Sequence, residues 1–328
     1  MARVSSTRRW LSLSLVSLLL SLGSTAALAE DYPKKSVTIV VAYPAGGATD
    51  TLGRIFADHF SQAWGQPVVV ENRPGAGGIT GTNLAAKAKP DGHTLLMGIT
   101  AMAQGPALFP SLPYDVKTDF RPVAEIARSQ NLMVVPTSLG VETLDDFLAL
   151  VRKEPDTHTF GSYGNGTSAH IHGEMLNDQA KLDLRHVPYR GAAPLVTDTL
   201  AGRLSASFLD AGSTHAHLDS GRFKVLAVTG ATRSPLLSEV PTFTELGYKN
   251  MELWGWFGLF APQGTPDDVL QAVSAQARRV LEKPEVIKTI TGLGLQVGEE
   301  SGETFSATLL RDIDVWTKVI NDAGITLN

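Results

Sequence analysis

The chain has 328 residues, 43% of them hydrophobic, with 28 basic against 33 acidic side chains, a formal net charge of −5 and no cysteine. That length is long for one core and comfortable for two domains. The acidic balance argues against nucleic acid and anionic membrane as partners, and the missing cysteines exclude disulfides, a thiolate nucleophile and a Cys-ligated metal.

Arg3, Arg8 and Arg9 precede an apolar run over residues 11–22, and Ala27, Leu28 and Ala29 close the segment before Glu30. A basic start, an apolar run and an A-x-A site predict a secretory signal cleaved near Ala29/Glu30, and hence a periplasmic protein. The run falls well short of the ~20 residues that cross a bilayer. Arg8 and Arg9 hint at twin-arginine export, but Trp10, Leu11 and Ser12 fit that pattern poorly, so ordinary secretion is the expectation. Losing three arginines leaves the mature chain more acidic still. An anionic solute must then be attracted locally, by backbone dipoles rather than by overall charge.

Residues 37–42 read as a buried strand. In the helix that follows, Leu52, Ile55, Phe56, Phe60, Ala63 and Trp64 form a 3.6-period stripe that predicts one inward face. Residues 67–70 are the next strand, and Gly75-Ala-Gly-Gly78 turns into a helix ending near Lys89. Pro90-Asp-Gly92 is a turn before a third strand over 93–99. This βαβαβ unit carries two Gly-rich turns at the carboxyl edge of its strands, where open α/β sheets bind ligands. A second set begins with a strand over 132–135. Thr143-Leu-Asp-Asp146 resembles a capping box for a helix to Lys153. A strand over 157–163, a turn over 165–168 and a helix through Asp178 follow. Next come a strand (184–189), a helix (192–201), strands over 205–209 and 224–229, and an aromatic strand over 253–260. Amphipathic helices over 267–282 and 303–323 close the chain. Alternating strands and helices predict an α/β fold with mainly parallel sheets. Two divisions fit: contiguous halves, or a chain that enters a second domain near residue 131 and returns near 252.

Several segments resemble the Bug or TctC family, the solute-binding proteins of tripartite tricarboxylate transporters. They are Tyr43-Pro-Ala-Gly-Gly-Ala-Thr-Asp50, Val69-Val-Glu-Asn-Arg-Pro-Gly-Ala-Gly-Gly78, Pro90-Asp-Gly-His-Thr-Leu95, Leu112-Pro-Tyr-Asp115 and Asp119-Phe-Arg-Pro-Val123. The series continues with Pro188-Tyr-Arg-Gly-Ala-Ala-Pro194, Leu226-Ala-Val-Thr-Gly230, Glu239-Val-Pro-Thr242, Phe257-Gly-Leu-Phe-Ala-Pro262 and Gly264-Thr-Pro266. Each is weak alone; in this order they are specific. The resemblance implies a periplasmic-binding-protein fold of type II-like topology, two α/β lobes joined by two hinge strands. It implies lobes over 30–131 plus 252–328 and over 132–251. It also implies a monomeric receptor that binds a small carboxylate (a di- or tricarboxylate, an acidic amino acid or an aromatic acid) largely through main-chain groups and delivers it to membrane permease subunits. Two departures lie beside the expected ligand. Pro44-Ala45 stands where the family often has Pro-Pro, and Thr100-Ala-Met-Ala-Gln104 lacks the His and Asn expected there.

The Gly46-Gly47 turn has two readings. Glycine simply supplies a positive φ at a tight βα turn, or the N–H groups of Ala48 and Thr49 hold one carboxylate, with the Thr49 hydroxyl as a further donor. Asp50 suits its own helix dipole and an i+4 pair with Arg54. Gly164-Asn-Gly-Thr-Ser-Ala169 matches a dinucleotide pattern with Asp183 beyond it, but it lies mid-chain in an exported protein. The better reading is a second anion-binding helix start, with Ser162, Thr167 and Ser168 as hydroxyl donors. Arg190 serves either as a bidentate clamp or in a structural salt bridge. Asp210 either accepts from a ligand amine or hydroxyl or caps the next turn. His170, His172, His215 and His217 suggest a four-histidine metal site, yet residues two apart on a helix do not converge, so neither metal nor cofactor is assigned. His170 near the helix start remains a ligand contact. The candidate ligand-binding set is therefore Tyr43, Gly46, Gly47, Ala48, Thr49, Gly77, Gly78, Thr100, Ser162, Asn165, Thr167, Ser168, His170, Arg190 and Asp210. No Gly-x-Ser-x-Gly, His-Glu-x-x-His or Walker sequence appears, so the expectation is a receptor and not an enzyme.

Overall fold

A computed structural model describes residues 32–326 apart from Ala216, Pro235 and the side chain of His215. The expected signal segment and its cleavage point lie outside the described residues. β1 (Val37–Val41) is buried except at Thr38, as a central strand between two neighbours must be. α1 (Ala48–Trp64) buries Leu52, Phe56 and Phe60 completely and ends on Gly65 in the left-handed region, a common helix stop. Ala63, expected in the buried stripe, falls in the last turn of the helix and is exposed. β2 (Val68–Asn72) leads through a 3₁₀ turn, Ala76–Gly78, into α2 (Ile79–Ala86) and then β3 (Thr94–Ile99).

Two elements here are additional to the sequence-based expectation. α3 (Ala101–Leu108) contains Gly105 and Pro106, poor helix formers, and is held by burial of Met102, Ala103 and Leu108. β4 (Phe120–Ser129) carries Arg121, Glu125 and Arg128, which interrupt the apolar pattern. Tertiary pairing compensates: Arg128 donates from Nε to Glu125 Oε1 at 2.6 Å and from Nη2 to Glu300 Oε1 at 3.0 Å.

β5 (Asn131–Pro136) is wholly buried. α4 (Leu144–Lys153) has both bonds of the expected capping box between Thr143 and Asp146. β6 (Thr159–Ser162), α5 (Ser168–Ala180), β7 (Arg185–Pro188), α6 (Ala192–Leu200), β8 (Ala206–Asp210), α7 (Ala211–His215) and β9 (Phe223–Val228) follow, then β10 (Gly255–Pro262) and α8 (Asp267–Leu281). α9 (Pro284–Gly292) and the short β11 (Gln296–Val297) are further additions before α10 (Gly302–Asp322).

The strands make two sheets, ordered β11-β4-β10-β3-β1-β2 and β7-β6-β8-β5-β9. β1 pairs parallel with β2 and β3, and β6 parallel with β7 and β8. The sheets are mixed rather than mainly parallel. β10 runs antiparallel to β3 and β4, and β5 antiparallel to β8 and β9. These are the strands on either side of the passages between sheets, and a chain that crosses over returns in the opposite sense. The first passage is the single residue Gln130, between β4 and β5. The second runs over residues 229–254, and the two touch: Gln130 Nε2 donates to the carbonyls of Thr229 and Thr232, each at 2.7 Å. On the first sheet, α10 buries Phe305 and Trp316, with Phe305 edge-on to Trp256 at 5.2 Å.

Candidate functional site

The turn after β1 is braced from below. Asp50 accepts from the Gly46 N–H at 2.9 Å, from Arg54 Nε at 3.0 Å and from Asn72 Nδ2 at 2.9 Å. Burial alone would raise its carboxyl, yet the bonds from Arg54, Gly46 and Asn72 hold it below the usual range, so it stays charged and structural. The positive φ of this turn is at Gly46 (+91°), whereas Gly47 caps α1 with an ordinary extended φ of −86°. The Gly46 N–H is thus committed to Asp50, while the helix leaves its first-turn N–H groups, those of Ala48 and Thr49 included, without intrahelical acceptors.

Asn72 Nδ2 also donates to the Tyr43 carbonyl at 3.1 Å, tying this turn to the next strand. The Tyr43 hydroxyl donates in turn to the Gly77 carbonyl at 3.3 Å. Gly77 and Gly78 have φ of +67° and +101°, and a Cβ on Gly78 would lie 2.6 Å from the Tyr43 hydroxyl. Glycine is required here both for the turn and for the ring that closes on it. Burial, with Tyr114 nearby, pushes the Tyr43 phenol well above its usual range, so it acts as a neutral donor.

Thr100 precedes α3 with its hydroxyl already spent: Oγ1 accepts the Trp256 N–H at 2.6 Å and donates to the Trp256 carbonyl at 3.3 Å. Four residues on, the fully buried Gln104 donates from Nε2 to Ser168 Oγ at 3.0 Å, joining α3 to the start of α5 from the other sheet. Ser168, a candidate ligand donor, is therefore an anchor between the two sheets.

In the second sheet, the turn after β6 holds itself together. The Ser162 hydroxyl lies 2.7 Å from His186 Nε2 and donates to the Gly164 carbonyl. Thr167 caps α5, accepting from the His170 N–H and donating to the Gly164 carbonyl at 2.7 Å. The Gly166 N–H donates to His170 Nδ1 at 3.2 Å. His170 stacks on His186 with centroids 3.9 Å apart and planes 15° apart. His172 turns away into the core, where Nδ1 takes the Asn131 amide at 2.9 Å and the ring meets Trp316. Burial lowers the His172 imidazole to about 3, and burial with His170 alongside lowers His186 to about 3, so both are neutral near pH 7. Asp210 caps α7, accepting from the Ser213 N–H at 2.8 Å and from its hydroxyl at 2.7 Å. Arg190 is exposed and has no carboxylate partner among the described residues.

His170, Glu174 and His186 bring ligating atoms within 4.8 Å of one another. Their orientation does not suit a metal. Imidazole lone pairs lie in the ring planes, so two stacked, nearly parallel rings aim side by side and do not converge on one point. In addition, His170 Nδ1 and His186 Nε2 are occupied by Gly166 and Ser162.

One cleft lies between segments of the two sheets. From the first sheet it is lined by Tyr43, Gly77, Gly78, Ile79, Thr82, Ala101, Met102, Gly105, Phe109 and Tyr114, and from the second by Asn165, Gly166 and Thr167. Of the candidate residues, Tyr43, Gly77, Gly78, Asn165 and Thr167 are on this lining. Gly46, Gly47, Ala48, Thr49, Thr100, Ser162, Ser168, His170, Arg190 and Asp210 are not. The wall that sequence reasoning missed is Ile79, Thr82, Ala101, Met102, Phe109 and Tyr114. Its legible signal is a pair of aromatic residues beside Pro110 and Pro113, of which Tyr114 falls in the Leu112-Pro-Tyr-Asp115 segment and Phe109 in none of the quoted segments. Three helix starts meet at the cleft: α2 at Gly78 and Ile79, α3 at Ala101 and Met102, and α5 at Gly166 and Thr167. Each carries a partial positive charge that favours an anion. The N–H groups of Gly78 and Ile79 are taken by the Gly75 and Ala76 carbonyls, and those of Gly166 and Thr167 by His170 Nδ1 and the Gly164 carbonyl, whereas the α3 start leaves the Ala101 and Met102 N–H groups without intrahelical acceptors. Among the described residues no Lys, Arg, His, Asp or Glu lines it.

Residues 52–325 match the tripartite tricarboxylate transporter family receptor. The chain is 35% identical to the UPF0065 protein in the tcbD-tcbE intergenic region of Pseudomonas sp. (strain P51), over 95% of this chain and 94% of that protein. Rhodopseudomonas palustris Rpa4515, solved with adipate, has a TM-score of 0.84 at 31% identity, covering 90% of this chain and 100% of that one. MatC from Rhodopseudomonas palustris, solved with bound malate, has a TM-score of 0.80 at 29% identity, covering 88% of this chain and 100% of that one. Solved periplasmic proteins share the two-sheet α/β architecture, so this is the periplasmic-binding-protein fold, as the sequence motifs led one to expect.

Proposed function

The chain belongs to the tripartite tricarboxylate transporter receptor family, solute receptors and not enzymes, and on that premise we propose that it binds a small carboxylate between two closing lobes. The observation that carries the reading is the meeting of three helix starts at a cleft with no charged side chain on its lining. Backbone donors suit a carboxylate: three or four charge-assisted bonds at ~1.5–3 kcal/mol each reach the ~8 kcal/mol of a micromolar receptor before ordering costs. The adipate and malate held by the two Rhodopseudomonas relatives support the same solute class.

In this reading residues 30–131 with 252–328 form one lobe and 132–251 the other. Gln130 and the passage over 229–254 act as the hinge. The ligand meets the lining residues Tyr43, Gly77, Gly78, Asn165 and Thr167, with the first-turn N–H groups at Ala48 and Thr49 and the Arg190 guanidinium coming to it as the lobes close. Thr100, Ser162, Ser168 and Asp210 hold the frame and do not touch it. The protein is exported by its signal, cleaved near Ala29, and works as a periplasmic monomer that hands its solute to permease subunits in the membrane.

A thermal-shift screen over carboxylates tests the binding, because a ligand of the folded state alone raises the melting temperature. X-ray scattering with and without the best solute tests the closure. We expect a rise in melting temperature and a smaller radius of gyration. A radius unchanged at saturation would refute lobe closure, and a flat screen would refute the solute class.

A further inference from the structure

Outside the cleft lining, segments of the two sheets also meet backbone on backbone. α7, which follows β8 of the second sheet, faces the loop after α9, which leads into β11 of the first. A Cβ on Gly212 would overlap the Leu293 carbonyl oxygen and stand 3.0 Å from its carbon. A Cβ on Gly294 would lie 2.6 Å from the Ala211 carbonyl carbon and 2.7 Å from the Gly212 nitrogen. Each segment thus needs a glycine for the other to approach.

Both sides of this contact are held. The Ala211 N–H donates to the Gln130 carbonyl at 3.2 Å, so α7 starts on the residue that forms the first passage between the sheets. Asp210 fixes its first turn through the Ser213 N–H and hydroxyl. Across the contact, the Leu293 and Leu295 N–H groups close on the Ile290 carbonyl and that of Gly294 on Thr291, and β11 pairs with Arg128 and Ala127. The obstacle facing Gly212 is a main-chain carbonyl, which cannot swing aside as a side-chain tip can. Gly212 lies inside a helix and has no positive φ, so alanine there carries no backbone strain of its own. A methyl at Gly212 is therefore relieved by parting the two sheets.

Resting on the lobe-closure reading above, we propose that Gly212 is a positioning residue for binding. It lets one lobe dock on the Leu293–Gly294 loop of the other, and so sets the affinity for the solute without touching it. A receptor propped apart here populates its closed arrangement less, and its apparent affinity falls by the same fraction.

The test is calorimetric titration of the mature protein with malate, adipate, citrate and benzoate, beside Gly212→Ala and Gly292→Ala, with thermal unfolding of each protein free of acid. Gly292 ends α9 just before the contact and has open space at its Cβ position, so it is the control. Gly212→Ala should weaken the tightest-binding of these acids about tenfold or more. Its melting temperature without acid should stay within about 3 °C of the parent's. Gly292→Ala should bind within about twofold of the parent. By X-ray scattering at saturation, the Gly212→Ala complex should keep a larger radius of gyration than the parent complex. Unchanged affinity, or equal radii at saturation, overturns the proposal while leaving the receptor reading intact. Loss of cooperative unfolding in Gly212→Ala also overturns it, because the contact would then belong to the fold in every arrangement. An equal fall in affinity for Gly292→Ala does the same, since the effect would not depend on the approach of Leu293. Failure of all the acids to bind the unaltered protein, with a flat carboxylate screen, overturns the receptor reading itself and this inference with it.

Discussion

Gly78→Ala probes the turn on which the aromatic wall rests. Gly78 has φ +101°, and an added Cβ would lie 2.6 Å from the Tyr43 hydroxyl oxygen and 2.9 Å from its ring carbon. The left-handed backbone costs an L-residue about 1–2 kcal/mol. The ring must also move aside, and the Tyr43–Gly77 hydrogen bond that it loses is worth about 0.5–1.5 kcal/mol. The sum is about 1.5–3.5 kcal/mol of folding stability. Gly47→Ala is the internal control, since Gly47 has φ −86° and open space within 4 Å of its Cβ position. There a weaker helix cap and a stiffer unfolded chain oppose one another, leaving a net change within about 1 kcal/mol. Urea unfolding followed by circular dichroism, without ligand, measures both. In a Tyr43→Ala background the Gly78→Ala cost should shrink to the backbone strain alone, about 1–2 kcal/mol, because the clash has gone. Equal midpoints for Gly78→Ala and Gly47→Ala would refute the reasoning, for then neither the positive φ nor the approach of Tyr43 constrains the turn.

Asp50→Ala removes the acceptor of three bonds beneath the first turn, from Gly46, Arg54 and Asn72, and should cost about 2–3 kcal/mol in the same unfolding assay. A cost below about 0.5 kcal/mol would mean the brace is dispensable. Ser168→Ala strips the partner from the buried Gln104 amide, whose Oε1 is already unpartnered, and should cost about 1–3 kcal/mol, whereas Ser168→Thr, which keeps a hydroxyl, should cost less. His172 is fully buried with its imidazole lowered to about 3 against 6.5 when unfolded, so the unfolded chain binds the extra proton between those values. Stability is then complete above pH 6.5 and falls on acidification, by about 2 kcal/mol from this group between pH 6.5 and 5, with His186 acting in the same direction. Unfolding free energies at pH 7 and pH 5 for the unaltered protein and His172→Gln check this. A variant as pH-sensitive as its parent would assign the effect to other groups.

Local chemistry made much of this protein legible from residue order. Glycines at the ends of β1 and β2, the Thr143 capping box and the stripe of Leu52, Phe56 and Phe60 each depend on neighbours within a turn or two, and pattern reading sees that range. The ordered motifs also sufficed for the family and its fold. What lay beyond reach were features held by distant partners. α3 forms despite Gly105 and Pro106 because its face is buried, and the charges of β4 are tolerable because Arg128 meets Glu300, which is 172 positions away. The candidate site divides in the same way. Sequence placed Tyr43, Gly77, Gly78, Asn165 and Thr167 at turns beside the cleft, but it had no means of knowing that the Thr100 hydroxyl is consumed by Trp256, 156 residues on, or the Ser168 hydroxyl by Gln104. Whether a polar side chain is available to a ligand depends on which other group satisfies it first. Only the tertiary structure brings those competing groups, and the Phe109 and Tyr114 wall, within reach of one another.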